Sequence, residues 1–251
     1  MIEFIGLNDR NKLVNEQVIV DLCSFILDHL DHPNKSQYLL ILTEVITECH
    51  DISSYTAKIE SIYEEFDSDD ENVTKLITLL FKFYSFCKNS KKKQVDEGNM
   101  RGALLERMTA LLVKRRFFPT NDYCVSFPLG QNCKERAVHV SCNVKISEAG
   151  WETKNPIDIG AFDCSANWRG VCYECKVNLE HMEKSDEEIL SELYQKGTQN
   201  LTLCGGELEV GVVSFLHSKS IKYIFKHIKS HAILALYGRD NMFDLAGDNL
   251  G

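Results

Sequence analysis

Residues 155–180 read NPIDIGAFDCSANWRGVCYECKVNLE, two apolar runs around a polar turn, and both runs carry charge. Asp158 sits in the first run; Glu174 and Lys176 sit in the second, separated by Cys175. Side chains alternate along a strand, so residues two apart share a face. Glu174 and Lys176 therefore point one way, and Val171, Tyr173, Cys175 and Val177 point the other. Pairing the runs as an antiparallel hairpin with Asp163 opposite Val171 sets Asp158 opposite Lys176, on the face that holds Glu174. Asp163 then points away. A β-bulge would reverse this parity and exchange the two aspartates, so Asp163 stays open as the alternative.

Two carboxylates and an ammonium on one sheet face suit the hydrolysis of a phosphodiester. Hard oxygen donors match Mg2+, which keeps several waters and takes one or two carboxylates together with substrate phosphate. Such an ion neutralises developing charge and lowers the pKa of a bound water. The Lys176 ammonium would orient that water or stabilise the transition state. A solvated ladder of surface charges is the plain alternative for Glu174 and Lys176.

Other chemistries find little support. There is no G-x-x-x-x-G-K-[ST], no G-x-G-x-x-G and no Ser-His-Asp order. Cys172-x-x-Cys175 has no second such pair, and on a strand its spacing sends the two thiols to opposite faces. The ten cysteines thus read as reduced, buried thiols. His139, His181, His217, His227 and His231 have no ligand spacing and stay unassigned. No apolar run reaches membrane-spanning length, and the N-terminus lacks the pattern of a secretory signal, so a soluble cytoplasmic protein with no membrane partner is expected.

The elements that must position these residues fall in two parts. Apolar residues three and four apart in NEQVIVDLCSFILDHL, SQYLLILTEVITECH and NVTKLITLLFKFYSFC mark amphipathic helices in residues 1–98. A lysine-rich stretch near 88–99 breaks the periodicity and reads as a linker. Residues 1–98 hold 18 acids and 10 bases, and residues 99–251 hold 19 and 18, so the net charge of −9 belongs almost wholly to the front. The front segment is read as a unit for target recognition, dimerisation or partner binding; its acidity disfavours contact with nucleic-acid backbone and favours a protein contact. Residues 99–251 open with a helix whose stripe is Leu104, Leu105, Met108, Leu111 and Leu112. Strand-like runs follow at 123–129, 137–146, 156–162 and 171–177. A helix over 185–201, with Ser185 and Glu188 as capping box, comes next. A strand over 208–216, a helix over 218–230 and a strand over 232–238 complete the chain. Crossover helices between late strands imply a mixed sheet with helices packed on it, an α/β (α+β) domain.

Asp158, followed at this spacing by Glu174-Cys175-Lys176 on the neighbouring strand, resembles the PD-(D/E)XK nuclease superfamily of restriction endonucleases, Holliday-junction resolvases and Mrr-like enzymes. Glu106, after Gly102 on the preceding helix, is similar to the glutamate that many members carry there. The likeness spans about residues 100–240. Pro156-Ile157-Asp158 departs from a literal Pro-Asp, and the helix after the Glu-x-Lys strand lacks the Gln-x-x-x-Tyr of one branch. The resemblance implies a restriction-endonuclease-like mixed central sheet flanked by helices, preceded here by an all-helical segment. It implies an Mg2+-dependent endonuclease (Mn2+ as substitute) that leaves 5′-phosphates on DNA. Asp158, Glu174 and the Cys175 backbone carbonyl would ligate metal, Lys176 would position water, and Glu106 would take a second metal or a metal-bound water. Lys114, Arg115, Arg116, Arg169 and Gln195 are candidate DNA contacts, with a solvated helix end as the other reading of the basic run. Cutting both strands of a duplex implies a homodimer. An inactive nuclease-fold assembly module, or a nuclease acting on RNA, remains the alternative.

Overall fold

The computed structural model describes residues 2–7, 12–66, 70–92, 94–118, 136–164, 168–202, 206–225 and 233–247, without the side chains of residues 12, 181 and 202. The strand expected at 123–129 lies outside these residues, as do His227 and His231. Two compact units emerge: one is Lys12–Arg107, the other Met1–Asn11 with Met108–Gly251. The division thus falls inside a helix rather than in the lysine-rich stretch, and the first residues of the chain belong with the sheet.

The helical unit contains α1 (Gln17–Asp28), α2 (Lys35–Glu48), α3 (Ile52–Glu65), α4 (Glu71–Asn89) and the start of α5 (Glu97–Phe117). Four of these follow the expected periodicities; α3 is additional. Its start is set by Asp51, whose carboxylate accepts from Ser54 N–H while the Ser54 hydroxyl accepts from Asp51 N–H. Asp70, from the acidic stretch between α3 and α4, caps α4 through Asn72 N–H. Leu22, Ile26, Leu39, Leu42, Ile46, Leu76 and Leu80 are fully buried. Tyr84 joins them, its hydroxyl donating to the carbonyl of Cys49 at 3.0 Å.

The sheet unit is mixed α/β. Its strands are β1 (Ile2–Gly6), β2 (Arg136–Ile146), β3 (Trp151–Glu152), β4 (Ile157–Asp163), β5 (Arg169–Cys175), β6 (Glu207–Val213) and β7 (Ala235–Tyr237). Their order is β1-β2-β4-β5-β6-β7, with β3 also on β2. β1, β2, β4 and β5 pair antiparallel. β5, β6 and β7 run parallel through the crossover helices α6 (Lys184–Thr202) and α7 (Ser218–Phe225), as the alternating late elements imply. Strand β1 answers to none of the expected elements. Its pairing with β2, Ile2 opposite Ile146 and Gly6 opposite Cys142, joins residues too distant in sequence for any local pattern to show it.

Both faces of the sheet centre are buried, which explains the near-continuous apolar run in β5. On one face Cys172, Val210 and Val212 pack with Leu190 and Leu193 of α6 and with Ile221 and Phe225 of α7. Gly197 lets α6 approach closely, since a Cβ there would fall 2.3 Å from Leu208. The other face carries Tyr173 and Cys175. The Cys175 sulfur lies 3.7 Å from the Thr109 hydroxyl of α5, and Arg116 of α5 pairs with Glu209 at 3.4 Å.

Candidate active site

Strands β4 and β5 pair with Asp163 opposite Arg169 and Ile159 opposite Tyr173. The expected pairing, Asp163 opposite Val171, is therefore corrected by two residues. An even shift keeps every side chain on its face. Continued by one residue, the register sets Asp158 beside Glu174, on the α6 face of the sheet. Asp158 is fixed there by the N–H of Cys175, which donates to its Oδ2 at 2.8 Å. Lys176 lies just past the end of β5, and its own N–H donates to the carbonyl of Val213 at 3.0 Å.

Across β4, the ladder to β2 pairs Val140 with Ile159 and Cys142 with Ile157 but omits the residues between, Ser141 and Asp158. Ser141 has φ of 60°, the left-handed region that non-glycine residues rarely occupy. Backbone strain of this kind gathers at functional sites.

Asp163 has a different task. It is 4% exposed and pairs with Arg136 Nε at 3.2 Å and with Arg169 at 3.7 Å. It lies five residues from Asp158 along an extended strand, roughly 17 Å away at ~3.4 Å per residue. Geometry therefore favours Asp158 for the cluster and gives Asp163 to the far end of the hairpin, together with Arg169.

The Lys176 ammonium bridges two carboxylates: Glu174 Oε1 at 2.9 Å and Asp186 Oδ2 at 3.0 Å. Asp186 is the residue that pattern reading misses. The expected Ser185–Glu188 capping box does not form. Helix α6 starts one residue earlier, and the Asp186 carboxylate accepts from the N–H of Glu183 at 3.1 Å, while Glu188 is exposed and pairs with Lys184. One acid in the first turn of the helix after a Glu-x-Lys strand was the available signal, but nothing local distinguishes it from the others there.

Two carboxylates, Glu174 and Asp186, thus hold one ammonium, while the Asp158 charge bears on Glu174. Burial raises the pKa of Glu174 to about 8; the Asp158 charge adds to this, and Lys176 opposes it. Burial works against the Lys176 charge as well, but Glu174 and then Asp186 outweigh it and hold the lysine protonated. The two shifts are compatible because Asp186 still faces the ammonium when Glu174 takes a proton.

The other expected residues are less central. Glu106 belongs to the helical unit and is half-buried, so the cluster in the sheet unit is Asp158, Glu174, Lys176 and Asp186. Arg116 is engaged with Glu209, whose Oε1 also accepts from the hydroxyls of Tyr173 and Tyr237. Lys114 and Arg115 are half-buried on the last turns of α5. Gln195 is exposed; nine residues after Asp186 at about 3.6 per turn, it points from the opposite side of α6. Cys172 and Cys175 do face opposite ways. Burial raises the Cys172 thiol, so it stays protonated.

A cavity of about 250 Å³ lined by Arg116, Arg169, Glu207 and Glu209 lies at the other end of β5 and β6 from the acids. Another of about 160 Å³ lies between Trp151, Lys154 and Asn155 on one side and Ser185 and Ile189 of α6 on the other.

Among the described residues no group of three or more His, Cys, Asp or Glu side chains is placed to hold a metal ion. An all-protein cage of the Ca2+ or Zn2+ kind is not what the described donors form. Two neighbouring carboxyl groups, Asp158 and Glu174, match in number and donor type the one or two that Mg2+ takes from protein, its remaining ligands being water and phosphate. Comparison with family models, curated proteins and solved structures finds no match to this chain. Among the described residues, no helix is long and apolar enough to cross a membrane.

Proposed function

We propose that the sheet unit is a metal-dependent nuclease of the PD-(D/E)XK type, with a restriction-endonuclease-like sheet, that hydrolyses DNA phosphodiester bonds. One observation carries this reading: Asp158, Glu174 and Lys176, brought from two strands, converge on one face at the end of β5, with Asp158 bound to the N–H of Cys175. In this reading Asp158, Glu174 and the carbonyl of Cys175 hold Mg2+ or Mn2+, which when bound supplies an acidic water and neutralises phosphate charge. Lys176 orients the attacking water. The enzyme works as a cytoplasmic homodimer whose acidic helical unit recognises a protein partner or the target.

A second reading has one observation of its own. Lys176 already bridges Glu174 and Asp186, as an ammonium standing where a cation is wanted would do in an inactive nuclease-fold module. Incubating plasmid and oligonucleotide duplexes with the protein in Mg2+ and in EDTA separates the two. Cleavage should need the metal and be lost in Asp158→Ala, Glu174→Ala and Lys176→Ala. A Glu174→Ala protein that cuts at the wild-type rate would overturn the nuclease reading. In Ca2+, duplex should be held uncut more tightly than in EDTA, and that gain should vanish in the Asp158→Ala/Glu174→Ala double variant.

A further inference from the structure

We infer that Asp186 is a positioning residue that holds Lys176 when Glu174 is released to the metal, an inference that rests on the nuclease reading above. The Glu174 carboxylate is asked to do two things. It is 2.9 Å from the Lys176 ammonium, and it is the acid on β5 nearest Asp158, hence a ligand. A glutamate that turns toward a divalent ion loosens its hold on the lysine. Without a second anchor the ammonium, on a flexible four-carbon stem, would be free to leave the reacting phosphate. Asp186 is that anchor. It reaches Lys176 at 3.0 Å from another element, so its grip does not depend on the conformation of β5. It is itself fixed, because the same Oδ2 accepts the N–H of Glu183 at the first turn of α6. The positive end of the helix favours a carboxylate at that place. Asp186 is therefore braced independently of the residue whose place it takes. Shared between two carboxylates, Lys176 also binds Glu174 less exclusively, which lowers what an incoming cation must displace.

Asp186→Asn tests this. Asparagine keeps an oxygen that accepts the Glu183 N–H, so the helix start survives while the charge is lost. Glu188→Gln, two residues on and 65% exposed, removes the same charge without touching Lys176 and is the control for general electrostatics. Two measurements are made on the full chain: Ca2+ affinity by calorimetry in the absence of DNA, and kcat and KM for duplex cleavage in Mg2+. Asp186→Asn should weaken Ca2+ by about fivefold or more and lower kcat by about tenfold with KM for DNA little changed, since the interaction acts at the reacting phosphate. Glu188→Gln should change each by less than about twofold, and Asp186→Glu should recover part of kcat. Asp186→Asn with wild-type Ca2+ affinity and wild-type kcat overturns the inference alone, as does an equal loss in Glu188→Gln. Wild-type protein that takes up no divalent ion and cuts nothing overturns the nuclease reading and this inference with it.

Discussion

Replacing Asp163 by alanine tests the assignment of the two aspartates through stability rather than activity. Asp163 is almost wholly enclosed and holds Arg136, whose side chain is only 19% exposed, at 3.2 Å. Removing one partner of a buried ion pair leaves a charge short of compensation and costs about 3–5 kcal/mol. The contact to Arg169 is at the surface, with 61% of that side chain exposed, and adds less than about 1 kcal/mol. Arg136 keeps some access to water, so the lower end applies, about 3 kcal/mol in all. In a chain of this length each kcal/mol moves the melting midpoint by about 2–4 °C, which gives a fall of about 6–12 °C. Asp158→Ala should behave otherwise. It loses the bond from Cys175 N–H, but it also removes the repulsion on Glu174, and the midpoint should shift by only a few degrees. Thermal melts followed by circular dichroism give the stabilities; plasmid cleavage in Mg2+, well below both midpoints, gives the activities. The expected pattern is crossed: Asp163→Ala is unstable and active, Asp158→Ala is stable and inactive. A folded, inactive Asp163→Ala beside an active Asp158→Ala would refute the site, and a midpoint for Asp163→Ala within about 2 °C of wild type would refute the ion-pair energetics.

Two buried groups should give the metal-free protein opposing dependences on pH. His139 is 3% exposed, neither ring nitrogen has a hydrogen-bond partner, and burial lowers its pKa. Below about 6.5 the unfolded chain binds a proton that the folded one refuses, so stability falls with falling pH, and His139→Leu should flatten that limb in urea melts. Glu174, pushed up to about 8, does the reverse: the folded state keeps a proton that the unfolded state has lost. Stability should therefore decline as pH rises from about 4.3 toward 8, and Glu174→Gln should remove the decline; an unchanged slope would show that the carboxylate is not desolvated. Gly160→Ala should destabilise by about 1–3 kcal/mol, measured by the same melts, because its Cβ would fall 2.3 Å from the Cys142 sulfur and 2.6 Å from Phe4 of β1. Ser141→Gly should be neutral or stabilising and Ser141→Val destabilising by more than about 1 kcal/mol, since a β-branched residue tolerates positive φ poorly; equal midpoints would remove the strain beside Asp158.

The side of the sheet on which Glu174 and Lys176 lie could be read from six letters, YECKVN, because alternation along a strand is a local property that no later packing reverses without a bulge. The order of helices and late strands was legible for the same reason: periodicity and length are written within each segment, and short crossovers then force a mixed sheet. Register was not legible. Either pairing of β4 with β5 keeps the same faces, so the apolar pattern is indifferent to a shift of two, and the hydrogen bonds along the whole ladder choose between them. The roles of Asp158 and Asp163 separate only when Arg136 and Arg169 close on Asp163, and Arg136 is distant in the chain and unmarked by any motif. Asp186 is one of several acids opening α6; it becomes a partner of Lys176 because the crossover brings that helix start back over the end of β5. The N-terminal strand is the plainest case. Five residues with no strong pattern of their own become a sheet edge because β2, more than a hundred residues away, offers unpaired N–H and C=O groups that must be met.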